Sequence, residues 1–284
     1  MKLGAVPGLI PVPDDVDPII GRIERSAELG LDCFNVSLRT LNLDPAYLEK
    51  AANVAARRGV DLVGFGTGAN FYLTGSEADR EIERITGIIL TARKHLGTRI
   101  VGTPSGPMLT THRWTAGLPL PERQEILAGN LRRLADNVAS AGVTIALENH
   151  CDWRGHEIAR IIAKADRPNL GVQIDTGNAY SVFEDPVECA RALLPYIVSS
   201  HLKDVAVTPF ATGEARGARA VGVPLGAGHT DNRAIISLIA ERTPGGLDIP
   251  LLIEPFYLDP GTDIPAYVDT SVAWARAEIG PYLR

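Results

Sequence analysis

Short runs of aliphatic residues recur along the chain, and turn-forming or charged residues bound each of them. Runs of this kind, rich in β-branched side chains, are typical of strands that are buried on both faces of a sheet. Four runs in the second half of the chain also end on a single Glu, Asp or His at their C-terminal side. These runs are Val143–Glu148, Leu170–Asp175, Ile197–His201 and Pro250–Glu254.

Segments with the spacing of amphipathic helices separate the runs, and several stop at a glycine suited to a helix C-terminus. The other predicted strands are Leu3–Val6, Cys33–Leu38, Val60–Phe65 and a run that starts at Arg99–Gly102. The predicted helices are Pro18–Leu29, Pro45–Arg58, Ser76–His95, Pro121–Ala141, Glu157–Ala165, Pro186–Leu194, Asn232–Glu241 and Pro265–Ile279. Strand and helix therefore alternate along the whole chain.

This alternation, without a Pro/Ser-rich linker or a break in composition, predicts an α/β protein with a single (β/α)8 barrel domain over residues 1–284. An open doubly wound sheet would alternate in the same way, but no glycine fingerprint follows the first strand. The longest and least regular connection is expected between His201 and Pro250. Within its stretch 208–221, residues Glu214–Arg219 are predicted to form a lid or a partner-contact loop.

Composition narrows the possible partners and compartment. A hydrophobic content of 45% and a charged content of 22% are normal for a soluble globular protein. The net charge of -6 argues against a nucleic-acid partner. Three scattered cysteines without CxxC spacing predict a reducing compartment, and the first residues predict neither a secretory signal nor a membrane span. We therefore expect a cytoplasmic protein that does not bind membranes.

The four acidic or imidazole strand ends predict a metal site. In a (β/α)8 barrel the active site lies at the C-terminal ends of the strands. Glu148, Asp175, His201 and Glu254 would then converge at the barrel mouth. Three carboxylates and one imidazole suit Mn²⁺, Mg²⁺ or Co²⁺ with open coordination positions better than they suit structural zinc.

Short motifs around these strand ends resemble the xylose-isomerase-like superfamily of sugar isomerases and epimerases. The motifs are ALENH (146–150), QIDTGN (173–178), SSHLKD (199–204), VPLGAG (223–228) and IEP (253–255). The superfamily includes ketose epimerases, inosose dehydratase and endonuclease IV, and the resemblance covers nearly the whole chain. It implies a TIM barrel, a divalent ion (foremost Mn²⁺) held by the same four residues, a small sugar or polyol substrate, and a homodimer or homotetramer. Asn178 departs from the pattern, since several members carry a His there, and this disfavours a multinuclear zinc site.

A divalent ion at such a site would polarise a hydroxyketone and stabilise the enediolate that forms when the adjacent carbon loses its proton. Glu148 and Glu254 lie at the ends of the fifth and eighth predicted strands, so they could face opposite sides of a substrate. One carboxylate would remove a proton and the other would return it on the opposite face. The resemblance to ketose epimerases supports this catalytic pair.

Two further residues are candidate substrate contacts because each lies two positions beyond a predicted ligand. His150 follows Glu148 and could contact the substrate or donate a proton, or it could pack under a loop. Lys203 follows His201 and could hold a substrate oxygen, or it could only pair with Asp204.

Three loop residues are more distant candidates for substrate binding. His112 and Arg113 follow the fourth predicted strand, and His229 follows the seventh. Arg113 could bind a carboxylate or phosphate in bidentate fashion, although a solvated loop explains all three equally simply. The neighbouring glycines Gly226 and Gly228 could let the backbone approach a ligand.

The sequence therefore leaves three functions open. The first is a metal-dependent isomerase or epimerase of a ketose or related polyol. The second is a lyase on the same scaffold, similar to inosose dehydratase or to a deglycosidase of an oxidised sugar, since HLKDV (201–205) resembles the dehydratase branch equally well. The third, a phosphodiesterase similar to endonuclease IV, is disfavoured by the acidic charge, the six histidines and Asn178.

Overall fold

A closed barrel of eight parallel strands forms the centre of the protein in a computed structural model, which describes residues 1–114, 117–210 and 217–284. The described strands are β1 Lys2–Ala5, β2 Cys33–Ser37, β3 Asp61–Phe65, β4 Ile100–Thr103, β5 Thr144–Glu148, β6 Leu170–Asp175, β7 Ile197–Leu202, β8 Asp204–Pro209, β9 Ala218–Val223 and β10 Pro250–Ile253. Around the barrel the order is β1-β10-β7-β6-β5-β4-β3-β2, with every pairing parallel. This arrangement confirms the predicted (β/α)8 fold class.

Helices cover the outside of the barrel. They are α1 Pro18–Glu28, α2 Pro45–Arg58, α3 Gly75–Thr91, the short α4 Met108–Thr111, α5 Leu120–Val138, α6 Gly155–Ala165, α7 Pro186–Leu193, α8 Asn232–Arg242 and α9 Ile264–Glu278. Three of them begin at an Asp-Pro pair, in which the Asp side chain accepts first-turn N–H groups. The proline at the next position needs no N–H partner and has a helical φ. These local signals explain why the predicted helix starts lie within about two residues of the observed ones.

The apolar core lies mainly between strands and helices. Side chains such as Ile23 on α1, Leu48 on α2 and Ile161 on α6 are buried against the outer face of the barrel. Inside the barrel, a small apolar cluster of Cys33, Val63 and Leu252 fills the lower part. The C-terminal end of the barrel interior is therefore left for polar side chains.

The connection after β7 is more regular than its sequence predicts. β8 and β9 pair as an antiparallel hairpin, with Asp204 opposite Val223 and Pro209 opposite Ala218. The predicted lid or partner-contact segment Glu214–Arg219 lies in part outside the described residues. Arg219, on β9, pairs with both carboxylate oxygens of Asp259 at 2.9 and 3.0 Å.

Asp204 at the start of this hairpin accepts four backbone hydrogen bonds. Its Oδ1 accepts from Val205 and Thr230, and its Oδ2 accepts from Gly226 and Gly228, over distances of 2.8 to 3.1 Å. A Cβ at Gly228 would overlap with Oδ1 of Asp204. The glycines of the VPLGAG motif therefore let the backbone approach the Asp204 carboxylate. The sequence had suggested that they let it approach a ligand instead.

Among residues 1–114, 117–210 and 217–284, no helix combines the length and hydropathy needed to cross a membrane.

We predict that Gly228→Ala lowers the free energy of unfolding by about 2–3 kcal/mol, because the new methyl group must displace the Asp204 carboxylate from its backbone donors. The measurement is urea unfolding monitored by circular dichroism. Gly129→Ala is the matched control, since Gly129 is exposed on α5 with free space around its Cα, and a helical alanine is stabilising by about 0.5–1 kcal/mol. Equal stability of the two variants would contradict the role given to Asp204.

Candidate metal centre

The four side chains named from the strand ends meet at one point of the barrel mouth. Glu148, Asp175 and His201 are at or next to the ends of β5, β6 and β7, and Glu254 directly follows β10. Each offers one ligand atom, and these atoms all lie within 4.8 Å of one another. The four strands are neighbours in the barrel, so the cluster occupies one half of its wall.

His201 lies at the centre of this cluster. Its Nδ1 is 3.0 Å from Oε1 of Glu148 and 2.8 Å from Oε2 of Glu254. The ring is fully buried and meets the ring of Phe65, on β3, edge to face at a centroid distance of 4.8 Å. One imidazole nitrogen therefore faces two carboxylates that come from strands on either side of β7.

Gln173 forms the floor beneath His201. Its Nε2 lies 3.2 Å from the ring nitrogens of His201, and its Oε1 accepts a hydrogen bond of 3.1 Å from Ser199. A Cβ at Gly102 would overlap with the Gln173 side chain, so only glycine fits on β4 at this level. The sequence analysis missed both residues, although the single amide within the aliphatic run Leu170–Asp175 was a usable signal.

Lys203 contacts two members of the cluster. Its Nζ lies 2.6 Å from Oδ2 of Asp175 and 3.1 Å from Oε2 of Glu254, and it donates a 3.2 Å hydrogen bond to Oδ1 of Asn178. The side chain is only 8% exposed. Asp204, the partner that the sequence suggested, is occupied by backbone N–H groups instead.

The charges of the cluster shift the pKa values of its members. Burial alone would lower the pKa of His201, but Glu254 and Glu148 outweigh it and raise the pKa to about 10. Burial alone would raise the pKa of Glu254, yet His201 and Lys203 hold it well below its usual range. Burial also opposes the charge of Lys203, but Asp175 and Glu254 keep its pKa above the ordinary value. Three carboxylates are thus only partly offset by two side chains that favour a positive charge.

The donor set suits a hard divalent ion. Oδ2 of Asp175 and Oε2 of Glu254 are buried, and the groups that approach them do so without regular hydrogen-bond geometry. These groups are Nζ of Lys203, at 2.6 and 3.1 Å, and Nδ1 of His201, at 2.8 Å from Oε2 of Glu254. Buried carboxylate oxygens in this state are costly unless a cation satisfies them. Three oxygen ligands and one imidazole nitrogen fit Mn²⁺, Mg²⁺ or Co²⁺, and none of the described cysteines joins the cluster.

His150 lies near the cluster but does not belong to it. Its Nδ1 is 3.2 Å from Sγ of Cys151. Burial alone would lower its pKa, but the contact with Cys151 and the charge of Glu148 raise the pKa to about 9. His150 therefore favours its protonated form more than a free histidine does, and it lies partly exposed beside the cluster.

The β5–α6 loop that carries His150 contains a buried acid that the sequence analysis missed. Asp152 accepts hydrogen bonds from Ser105 and from the hydroxyl of Tyr72. Its burial raises its pKa above the ordinary value for aspartate. The signal available in the sequence was the charged residue directly before Trp153, an aromatic residue that is fully buried in the structure.

The three loop candidates make other contacts. Arg113 binds Glu157 through both amino groups, at 2.6 and 3.2 Å. Nδ1 of His112 accepts the N–H of Trp114 at 3.2 Å, and Nδ1 of His229 accepts the N–H of Val207 at 3.0 Å. In the structure, Lys203 contacts two members of the four-residue cluster, and His150 lies beside the cluster. The three loop candidates instead bind protein groups elsewhere; they are His112, Arg113 and His229.

Comparison with known proteins gives the family context. A family model described as Xylose isomerase-like TIM barrel matches residues 23–278. The structure of D-psicose 3-epimerase from Clostridium cellulolyticum H10 superposes with a TM-score of 0.76 at 16% identity and covers 100% of both chains. The probable 3-DHS dehydratase AsbF from Bacillus anthracis superposes with a TM-score of 0.72 at 15% identity, over 96% of this chain and 98% of the other. At these identities the similarity establishes the fold alone.

Curated relatives match over shorter lengths. The 3-oxo-isoapionate decarboxylase of Pectobacterium atrosepticum is 27% identical over 65% of this chain. The chain spans 60% of the length of that relative and 25% of the length of another that it matches.

We predict that Mn²⁺ affinity rises about tenfold per pH unit between roughly pH 6.5 and 8.5. A metal ligand must be deprotonated, and the pKa of His201 near 10 means that metal binding must release its proton in this range. Calorimetric titration of chelator-treated protein in two buffers of different ionisation enthalpy should give about one proton released per ion. A pH-independent affinity would show that His201 is not a ligand.

We predict that Arg113→Met lowers the free energy of unfolding by about 1–2 kcal/mol at pH 7, because it leaves the largely buried Glu157 without its partner. Burial opposes the ionisation of Glu157, but Arg113 holds its pKa below the ordinary value. Because the pKa of Glu157 is lower in the folded state than in the unfolded state, its ionisation stabilises the fold above about pH 4.3. This stabilisation is lost as the pH falls through the folded-state pKa. The difference between variant and wild type should therefore shrink as the pH falls below about 4.3.

Arg133→Met, which removes an exposed ion pair with Asp79, is the control and should change the stability by less than about 0.5 kcal/mol. If Arg113→Met were as stable as this control, Arg113 would be free to serve the substrate.

Proposed function

The chain belongs to the xylose isomerase-like TIM barrel family, and from this premise we propose that it is a divalent-metal-dependent isomerase or epimerase of a ketose or related polyol. One observation carries the proposal. Glu148 and Glu254 approach the same nitrogen of His201, at 3.0 and 2.8 Å, from strands on opposite sides of β7. Two carboxylates placed in this way can act on the two faces of one carbon atom.

A divalent ion held by Glu148, Asp175, His201 and Glu254 would polarise the carbonyl of a hydroxyketone and stabilise the negative charge of the enediolate. Mn²⁺, Mg²⁺ and Co²⁺ all suit this donor set.

The two glutamates differ in their access to solvent. The side chain of Glu148 is 2% exposed, whereas that of Glu254 is 23% exposed at the open end of the barrel. In the proposed reaction one of them removes the proton next to the carbonyl and the other returns a proton on the opposite face. The low exposure of Glu148 would exclude bulk water from its side of the substrate, so protons that enter the product from solvent would arrive by way of the more exposed Glu254.

Neighbouring residues would orient the substrate. Lys203 can donate to a substrate oxygen beside Asp175 and Glu254. The ring of Phe65 offers an apolar wall opposite the charged half of the barrel, and such surfaces suit the faces of sugars.

A lyase on the same scaffold is the second candidate, and His150 is the observation that favours it. A histidine with a pKa near 9 beside Glu148 can protonate a leaving group that the enolate expels. The similarity to a decarboxylase agrees with this alternative, since loss of a carboxyl group next to a carbonyl passes through the same kind of enolate. The net charge of -6 continues to disfavour a phosphodiesterase that acts on nucleic acid.

The test is incubation of the Mn²⁺-loaded protein with a panel of ketoses in deuterated water. An isomerase or epimerase should introduce one deuterium next to the carbonyl of an otherwise intact sugar, as measured by mass spectrometry and NMR. A product lighter by water, by carbon dioxide or by an aglycone would support the lyase instead.

We predict that Glu148→Gln and Glu254→Gln each lower kcat by about 10²–10⁴-fold, because a carboxamide cannot accept the proton. Circular dichroism should show an unchanged fold, and residual activity should be compared at saturating Mn²⁺. Glu83→Gln, an exposed position on α3, is the control and should keep the wild-type rate. Wild-type turnover in both active-site variants would eliminate the acid–base pair.

A further inference from the structure

The ammonium group of Lys203 lies where a bound cation would exert its strongest repulsion. Its Nζ is 2.6 Å from Oδ2 of Asp175 and 3.1 Å from Oε2 of Glu254, and both residues belong to the four-residue cluster. A divalent ion bound to these oxygens would lie at about 2.0–2.6 Å from them. The ammonium and the ion would therefore lie within a few ångströms of each other inside a buried site, where charges are poorly screened.

The side chain of Lys203 has a second set of partners within reach. Its Nζ already donates to Oδ1 of Asn178 at 3.2 Å, and it lies 5.9 Å from the ring centroid of Phe256. An amide oxygen and an aromatic face can hold an ammonium group without competing strongly for a divalent ion. A short rotation of the lysine would exchange two carboxylates for these neutral partners.

The charge balance of the cluster explains why a bound ion would favour this exchange of partners. Three carboxylates this close together, two of them buried, repel one another unless cations lie between them. In the chain itself, the ammonium of Lys203 lies between Asp175 and Glu254. When an ion with two positive charges joins the cluster, it takes over this role, and Lys203 is no longer needed between these two carboxylates.

We propose that Lys203 is an internal counter-ion of the metal centre: its ammonium holds Asp175 and Glu254 together until a divalent ion binds and is then displaced towards Asn178 and the mouth, where it binds an anionic oxygen of the substrate. The last step rests on the proposed function, whereas the displacement by the ion does not. Binding of the ion and presentation of the lysine to the substrate are thereby one coupled event.

The test measures Mn²⁺ affinity by calorimetry on chelator-treated protein without substrate. Lys203→Met, which keeps the length of the side chain but removes its charge, should bind Mn²⁺ at least about tenfold more tightly than the wild type, because no ammonium competes for the carboxylates. Asn178→Ala should bind it several-fold more weakly, because the displaced ammonium loses its hydrogen-bond acceptor. Lys94→Met removes an exposed lysine, makes the same change in net charge, and should stay within about twofold of the wild type.

Thermal unfolding supplies the second readout. Without metal, Lys203→Met should unfold at a lower temperature than the wild type, and saturating Mn²⁺ should close most of that gap. A variant that does not fold without metal but folds with it would be the extreme form of the same result. A lysine that only contacts substrate would leave both the affinity and the unfolding temperature unchanged, and that outcome would overturn the proposal.

The outcomes also separate this inference from the proposed function. Tighter Mn²⁺ binding by Lys203→Met in a protein that converts no ketose would support the counter-ion role and count against the isomerase. Unchanged Mn²⁺ binding by Lys203→Met, in a protein that is an active isomerase, would support the proposed function and count against the counter-ion role. A wild-type protein that binds no divalent ion would refute both.

Discussion

Mutual repulsion of buried carboxylates is the constraint on which the rest of this structure depends. Glu148, Asp175 and Glu254 share one end of the barrel within 4.8 Å of a buried imidazole. Such a group is unstable by itself, because burial disfavours charge and like charges disfavour one another. The positions of His201 and Lys203, and the suitability of the site for a divalent cation, all follow from the need to offset this repulsion.

Two kinds of acid in the same region show how a structural carboxylate differs from one suited to bind a cation. Asp204 is surrounded by four backbone N–H groups and has no free acceptor capacity directed at the mouth. Asp175 and Glu254 each keep a buried oxygen that faces the side chains of Lys203 or His201 and no backbone N–H group among the described residues. The first arrangement fixes a loop, while the second leaves a carboxylate ready to bind a cation or a proton. Burial alone does not distinguish them, but the direction of the surrounding donors does.

The sequence predicted the elements whose causes are local. Asp-Pro pairs set helix starts, glycines set helix ends, and aliphatic runs with a terminal acid or histidine set the barrel strands and the four-residue cluster. It could not predict contacts made between distant segments, such as Arg113 with Glu157 or Lys203 with Asp175, because long side chains choose among several partners only in the folded chain. The hairpin of β8 and β9 was also not predicted from the sequence, because its strands are partly exposed and lack a continuous apolar run. Gly102 on β4 lies against the side chain of Gln173 on β6, so the need for a glycine at position 102 could not be predicted from its local sequence.

The placement of all four candidate ligands on β5, β6, β7 and β10 divides the barrel into two halves with different freedom to evolve. Substitutions on the acidic half change the four-residue cluster itself. The half formed by β1 to β4 contributes walls such as Phe65, and mutations there alter the shape offered to a ligand without removing a charge. The shape of the mouth can therefore change from one side of the ring while the acidic cluster persists on the other.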